Sequence, residues 1–358
     1  MARISEQIIE QIRSTADIIE VVSGYVQLKK RGRNYFGLCP FHGEKTASFS
    51  VSPQRQIYKC FGCGAGGGVI NFIMEIEGME FINAVKHLAD QYSIELQIDE
   101  TPGQSKDLIT QLFDIHEKTA HTFLKNLGTE EGSKVLAHLE SRGLSRDTIK
   151  KFKLGYSLKQ KDALLSAFRK EGVGSDAMKQ SGLFIDTKGG YMDRFRGRIM
   201  FSIPNSSGKI AAFAGRVFES DDTAKYVNSP ETPIYNKSKI LYGLHETKQT
   251  IRESNSVIVV EGYLDFLQLY QSAIHNIVAV SGTAFTDQHA LQLKRFCTNV
   301  NLAYDGDSAG KTAAIRAGYV LLRAGLSPMI VNIPEDLDPD DWVKRDGNAP
   351  FLEAVEGG

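Results

Sequence analysis

From residue 257 to 333 the chain alternates short apolar runs with helix-length stretches, and this pattern restricts the possible folds more than any other feature. VIVV (257–260) precedes a helical stretch ending at Ser272, NIVAV (276–280) one over 286–296, and NVNLAY (299–304) one over 309–324; MIVNI (329–333) closes the series. Unbroken apolar runs of this length read as strands buried on both faces, and the helices between them as the crossovers a parallel sheet requires. Residues just past the carboxyl ends of such strands converge on one crevice. Here they are acidic: Glu261 ends the first run, Asp305 and Asp307 the third, and Asp338 and Asp340 follow the fourth. Asp265, one helical turn beyond Glu261, is placed to join them. So many like charges at one point are unfavourable unless cations neutralise them. An all-oxygen set favours Mg2+ or Mn2+, with waters and substrate phosphates filling the remaining positions. Asp307, before Ser308 and Ala309, is also a candidate helix N-cap, but capping alone does not explain acids at all three places. GDSAGKT (306–312) is one residue short of a phosphate-binding P-loop, because Gly306 and Gly310 enclose three residues where that motif needs four.

A different chemistry sits near the start. Cys39-Pro-Phe-His42 and Cys60-Phe-Gly-Cys63 form a C-x2-H…C-x2-C arrangement separated by seventeen residues. Two residues between ligands let a tight turn aim both side chains at one ion, and two such turns complete a tetrahedron of three thiolates and one imidazole. All four positions are filled by protein, so one structural Zn2+ is expected. Cys297 lies in a helical pattern and is read as an ordinary thiol. Around the ligands, Lys29, Lys30, Arg31, Arg33, Arg55 and Lys59 are interleaved with Tyr25, Tyr35, Phe36, Phe49, Tyr58 and Phe61. Cations for phosphates and rings for stacking are what a single-strand nucleic-acid surface needs, although any one of these rings is better read as core of a small ribbon.

At 358 residues the chain has room for two or three domains of about 150 residues. Its net charge is only −1, but residues 28–59 carry +6 and residues 194–239 carry +4, while 255–345 runs acidic. That distribution suits a phosphate-binding surface beside a cation site. No apolar run approaches the roughly 20 residues that span a bilayer, and MARISEQIIEQIR offers no signal-peptide core. Four cysteines are no disulfide framework, so a cytoplasmic protein without membrane contact is expected. Ile4, Ile8, Ile12, Ile18, Ile19 and Val22 give a helix over 4–23. Strands are expected over 34–38, 48–51 and 57–61, and helices over 69–76 and 81–92. A polar linker lies near 101–106, a mostly helical segment runs over about 106–182, and strands pair over 198–204 and 209–218. The fold class is α/β with a small zinc ribbon: an N-terminal zinc-ribbon β module with helices, then a mixed α+β subdomain and a parallel-sheet α/β domain.

With these residues in view, the chain resembles the bacterial replicative primase family (DnaG-type) over about residues 3–347. CPFH followed by Glu44-Lys45-Thr46, and CFGCG, resemble that family's zinc module; EGYLD, YDGDSAG and DPDD resemble the TOPRIM fold shared by primases and topoisomerases; DRFRGRIMFSIP, AGRVF, KYVNSPET and LYGL match between them. The resemblance implies a zinc-binding, DNA-binding domain over 1–100, a linker over 101–110, and a mixed α/β subdomain of an RNA polymerase core with a basic groove over 111–250. A TOPRIM metal-binding domain over 251–347 and a truncated tail over 348–358 follow. It implies zinc on Cys39, His42, Cys60 and Cys63, and a magnesium or manganese centre on Glu261, Asp305, Asp307, Asp338 and Asp340 with Asp265 close by. Arg194, Arg196 and Arg198 fall in a basic strand and Arg216, Lys225, Asn228 and Lys237 in the groove, while Lys29, Lys30 and Arg33 join the nucleotide- or template-binding set.

The implied activity is synthesis of short RNA primers from ribonucleoside triphosphates on single-stranded DNA. Full-length relatives continue into a domain that docks on the replicative helicase; that domain is absent here, so helicase binding is not expected of this chain. Two other readings stay open on the residues alone. One is a type IA topoisomerase or nuclease built on the same sheet, which for a topoisomerase requires a nucleophilic Tyr that no sequence context nominates. The other is a non-catalytic zinc-dependent DNA-binding module.

Overall fold

In a computed structural model of the chain, residues 6–77, 79, 81–94, 108–188, 190–218, 224–282, 284–335 and 337–357 are described. The polar linker expected near 101–106, the start of the first helix at Ile4 and the acidic residues Glu219, Asp221 and Asp222 lie outside them. The chain divides into two compact units, Met1–Asp107 and Leu108–Gly358.

In the first unit the helix expected over 4–23 is two helices, α1 (Glu6–Thr15) and α2 (Ile18–Ser23). Asp17 splits them, because its Oδ1 accepts from the amides of Ile19 and Glu20 and so starts a new helix. Five strands follow, β1 (Lys29–Arg31), β2 (Asn34–Gly37), β3 (Phe49–Ser52), β4 (Ile57–Cys60) and β5 (Gly66–Gly67), paired antiparallel in sequence order. Helices α3 (Val69–Glu77) and α4 (Phe81–Gln91) complete the unit. Its core is aromatic: Phe49 and Tyr58 stack at 5.3 Å, and Phe72 meets Tyr58 edge-on at 5.4 Å. Phe49 and Tyr58 are fully buried, so these two rings do not stack on nucleic acid. Tyr25 also packs edge-on against Phe72. Phe61 is 74% exposed and remains available.

The second unit opens with helices α5 (Leu108–Asn126), α6 (Glu130–Ser141) and α7 (Arg146–Lys151), strand β6 (Gly155–Ser157), and helices α8 (Ala163–Lys170) and α9 (Ser175–Gln180). β6 lies inside the segment expected to be helical; three residues are too few to show a period, and they hold as a strand by pairing with a buried neighbour. A hairpin, β7 (Phe184–Thr187) and β8 (Gly190–Asp193), leads to β9 (Arg198–Pro204), β10 (Ile210–Val217) and β11 (Tyr226–Asn228). These form an antiparallel sheet in the order β11-β10-β9-β6, with every residue of β9 buried.

The parallel sheet follows as expected: α10 (Leu244–Ser254), β12 (Ser256–Val260), α11 (Tyr263–Gln271), β13 (Ile277–Ala279), α12 (Asp287–Leu293), β14 (Asn299–Leu302), α13 (Ser308–Arg323), β15 (Ser327–Ile330), α14 (Pro339–Asp346) and α15 (Asn348–Gly357). Its order is β13-β12-β14-β15, all parallel. Ile258 and Val260 face a core containing Phe266, Leu267, Trp342 and Phe351; Val257 and Val259 face another containing Ile251, Leu293, Ala317 and Leu321. The sheet is thus covered on both sides, which is why its strands read as continuous apolar runs. The last strand starts earlier than MIVNI suggested. Pro328 lacks a backbone donor, yet an edge strand with one partner tolerates it.

Gly243, at the start of α10, has φ +82°, and a Cβ there would come within 2.0 Å of the Phe266 ring. Gly243→Ala is expected to lower the stability of the second unit by about 3 kcal/mol, combining overpacking with left-handed strain. Urea unfolding measures it, and a midpoint within about 0.5 kcal/mol of wild type would contradict this packing.

Candidate metal centres and nucleic-acid interface

The first centre gathers Cys39, His42, Cys60 and Cys63, one ligand atom from each lying within 4.8 Å of the others. Cys39 Sγ and Cys63 Sγ are 3.8 Å apart, and Cys60 Sγ lies 3.7 Å from His42 Nδ1. Such spacings suit four ligands on one tetrahedral ion. Cys60 ends β4, and the turn after it folds back through Gly62, whose Cβ position lies 2.6 Å from His42 Nε2; only glycine fits there. Glu44 organises the other turn. Its Oε1 accepts from the amides of Cys39 (2.7 Å) and Ser48 (3.0 Å), its Oε2 from the Ser48 hydroxyl, and Oε2 lies 3.4 Å from His42 Nε2. Despite the desolvation it suffers, the hydrogen bonds from Ser48 and Cys39 hold its pKa below the ordinary value. With Nδ1 facing the thiols and Nε2 facing a carboxylate, His42 has the arrangement that fixes a ligating tautomer. Ser48 also lies 3.3 Å from Cys60 Sγ, and the Cys63 amide donates to that sulfur. Against the burial that opposes it, these donors draw the Cys60 thiol down to about 7.

Beside this centre the outer face of the sheet carries a groove lined by Arg33, Ser52, Arg55, Lys59, Phe61 and Gly66. Lys29, Lys30 and Arg31 are exposed along the edge strand β1.

In the second unit the acids approach one another at the carboxyl edge of the parallel sheet, but not as one point. Asp265, Asp338 and Asp340 form one group with ligand atoms within 4.8 Å. Glu261 and Asp305 form the other, the Asp305 amide donating to Glu261 Oε1 at 3.3 Å. Asp305 links the two, because Asp338 and Asp307 raise its pKa after burial does, while Lys225 opposes the rise. Glu261 is raised by burial, then by Asp305 and Asp307. Asp265 is pushed up to about 8 by burial, then by Asp338, Asp305 and Asp340. Placing it beside the cluster understated its part: it is buried within one of the two groups. Carboxylates crowded so that burial and mutual repulsion disfavour their charged forms are a donor set that fits divalent cations.

The helix starts place these oxygens. Asp307 Oδ1 accepts from the Gly310 amide at 2.7 Å and caps α13; Asp338 Oδ1 accepts from the Asp341 amide at 2.7 Å and caps α14; Asp265 Oδ2 accepts from the Gly262 amide at 3.0 Å in the first turn of α11. Capping and membership of the cluster are therefore not alternatives. Two cations missed in the sequence also reach the acids. Lys344 Nζ lies 2.5 Å from Asp340 Oδ1, a pair at i,i+4 spacing that the sequence does contain, and Arg142 Nη2 lies 3.6 Å from Asp340 Oδ2. Nothing in the sequence relates Arg142 to α14; α11 brings it there, with Gln268 and Gln271 donating to the carbonyls of Arg142 and Gly143. Tyr263 and Tyr304, beside the cluster, are buried with hydroxyls held above their ordinary pKa by that burial, which suits neither to act as a nucleophile.

The basic residues separate. Lys225 is exposed, and Arg216 and Lys237 are half-buried. Asn228 Oδ1 lies 3.4 Å from the Tyr263 hydroxyl. Arg198 does not belong with them. It is 2% exposed and its Nη1 donates to the carbonyls of Gly215 and Ala224, both at 3.0 Å, so it ties β10 to the segment leading into β11 instead of meeting a ligand. Arg194 donates to the Gly182 carbonyl and Arg196 to that of Asp193, which orients both toward protein.

Comparison with known proteins agrees with this geometry. Residues 4–104 match the CHC2 zinc finger family, 122–248 the N-terminal domain of the DNA primase catalytic core, and 258–343 the Toprim-like family. The DNA primase of Listeria monocytogenes is 41% identical over 366 residues, covering 99% of this chain and 58% of that protein; that of Halalkalibacterium halodurans is 40% identical, covering 99% and 60%. The chain thus spans about three-fifths of the length of these relatives. The crystal structure of the zinc-binding and RNA polymerase domains of the Aquifex aeolicus primase is 34% identical with TM-score 0.67, covering 98% of this chain and 85% of that one. A DnaG primase catalytic domain bound to ssDNA is 34% identical with TM-score 0.64, covering 70% and 82%. The zinc-finger and Toprim-like matches support binding of zinc by the first unit and of a divalent metal by the second. No helix among the described residues is long and apolar enough to cross a membrane.

Two outcomes are expected. Glu44→Ala should weaken zinc retention against a chelator by about 10- to 100-fold, as loss of an outer-shell carboxylate does; an unchanged affinity would remove Glu44 from the zinc site. For Asp265, a folded pKa near 8 against about 4 unfolded means stability is fully present below about pH 4 and lost as pH rises toward 8. Without added divalent cation, wild type should therefore lose stability relative to Asp265→Asn across that window, by urea midpoints; a constant gap from pH 4 to 8 would mean an ordinary carboxyl.

Proposed function

This chain belongs to the bacterial DnaG-type DNA primase family, and from that membership we propose that it joins ribonucleoside triphosphates into short RNA primers on a single-stranded DNA template in the cytoplasm. The observation that carries the reading is the pair of neighbouring carboxylate groups at the edge of the parallel sheet, coupled through Asp305, with Lys225 felt at that same residue. Glu261, Asp305 and Asp307 would hold one divalent cation and Asp265, Asp338 and Asp340 a second, magnesium or manganese. When bound, such a pair of cations activates a 3′-hydroxyl and neutralises the leaving pyrophosphate.

The chain's own groups do the rest. Asp305, in the first set, is near enough to Asp338 and Asp265 of the second to be coupled to them by charge. Lys225, Arg216 and Lys237 neutralise triphosphate and template phosphates, and Asn228 lines the same groove. Asp340, paired with Lys344 and Arg142, keeps its oxygens aimed by ion pairs rather than by solvent. In the zinc unit, Arg33, Arg55 and Lys59 hold the phosphodiester backbone while Phe61 offers a face for a base, with Lys29 and Lys30 at the edge. In this reading 1–100 presents template, 111–250 supplies the groove and 251–347 the metal-binding sheet.

The test is synthesis on single-stranded DNA from labelled ribonucleotides with Mg2+ or Mn2+. Asp305→Asn is expected to reduce product by at least about 100-fold while the far-UV spectrum is retained. Should product persist at near the wild-type rate, the metal-centre assignment fails.

A further inference from the structure

The loop carrying Lys237 runs from Asn228 at the end of β11 to Tyr242 before α10; Ser229 pairs with Phe213 of β10, and Tyr235 and Tyr242 are buried in the core, while the stretch around Lys237 between these two tyrosines is held by polar contacts. Glu231 Oε1 accepts from the Lys237 amide at 2.9 Å, and Asn236 Oδ1 accepts from the Ser238 amide and hydroxyl. Further attachments go to residues at and after the end of β13. Tyr242 and Ala279 exchange both backbone hydrogen bonds, at 2.9 and 3.0 Å. At the other end, Asn228 Nδ2 lies 3.6 Å from where a Cβ on Gly282 would sit. In the middle, the Thr286 hydroxyl donates to the Ser238 carbonyl at 2.6 Å. The same oxygen accepts from the His289 amide, and His289 Nδ1 accepts from the Thr286 amide, so the two side chains brace each other at the start of α12. His289 is fully buried, edge-on to Phe285, and its ring faces the carbonyls of Lys237 and Ile240. Just past the carboxyl end of β13, beside the acidic crevice, the Ser281 amide donates to the Glu261 carbonyl at 2.9 Å.

We propose that Thr286 and His289 are positioning residues that hold the Lys237 loop in register with the acidic crevice, so that a nucleoside triphosphate on the cluster also meets the Lys237 ammonium. This rests on the reading of Lys237 as a phosphate-binding residue. A capping box ordinarily places a Glu or Gln at its third helical position. His289 there is uncharged at neutral pH because burial lowers it to about 4, so it supports the loop without adding charge beside the phosphate groove. The 2.6 Å bond from Thr286 ties the carbonyl adjacent to Lys237 to a helix on the sheet, and a loop held this way gives up less conformational freedom when the ligand binds.

The test is a double-mutant cycle read by the binding of GTP with Mg2+ to the full chain. Lys237→Ala is expected to weaken binding about tenfold, and Thr286→Val, isosteric but without the hydroxyl, about fivefold. Thr286→Ser, which keeps the hydroxyl, restores most of the affinity, and in the Lys237→Ala background Thr286→Val adds no further loss. Thermal melts check that each variant is folded; if Thr286→Val is not, Thr286→Ala removes the same hydroxyl and carries the comparison. Unchanged binding by Thr286→Val, or an equal loss in both backgrounds, overturns the proposal while leaving the basic-groove reading intact. Wild-type binding by Lys237→Ala overturns that reading of Lys237 and the proposal with it.

Discussion

Mutual repulsion among carboxylates at one edge of a parallel sheet is the constraint on which the second unit is built. Left alone, Asp265, Glu261, Asp305 and Asp340 all have their pKa values raised, first by burial and then by neighbouring carboxylates. A fold tolerates such a cluster only if the surrounding structure is rigid enough to hold it. The sheet has that rigidity because both faces are covered, with Ile258 and Val260 in one apolar core and Val257 and Val259 in another. The energy that holds the acids together therefore comes from layers that contain no acid.

Local geometry and site geometry are coupled through single side chains. Asp307 and Asp338 each spend one oxygen on the first amides of a helix, and Asp265 does so on the turn that opens α11. Capping fixes the rotamer of each carboxylate and thereby aims its other oxygen. Lys344 and Arg142 do the same for Asp340 through charge. Removing any one of these acids therefore disturbs a helix start or an ion pair as well as a ligand position.

The zinc unit follows the same economy with softer ligands. Glu44 ties together the amides of Cys39 and Ser48, the Ser48 hydroxyl and the His42 ring, so one carboxylate orders a turn that has little regular structure. The sheet buries Phe49 and Tyr58 on one side and leaves Lys59 and Phe61 on the other. That division separates the rings that build the core from those free to meet a ligand, which composition alone does not do.

Local signals sufficed where chemistry and period coincide. The metal-ligand spacing around Cys39 and Cys60, the apolar runs ending in Glu261 and Asp305, and the alternation that demands a parallel sheet are written in neighbouring residues. The sequence by itself therefore determined the two kinds of metal chemistry and the sheet that carries one of them. Only the tertiary structure decided which charges work where. It buried Arg198 against two carbonyls although its neighbours in sequence are basic, brought Arg142 to Asp340 across the fold, placed Asp265 inside the cluster, and docked the Lys237 loop on Thr286. Each of these depends on the distance between residues far apart in the chain and on how much water reaches them, and neither quantity is a property of a local stretch of residues.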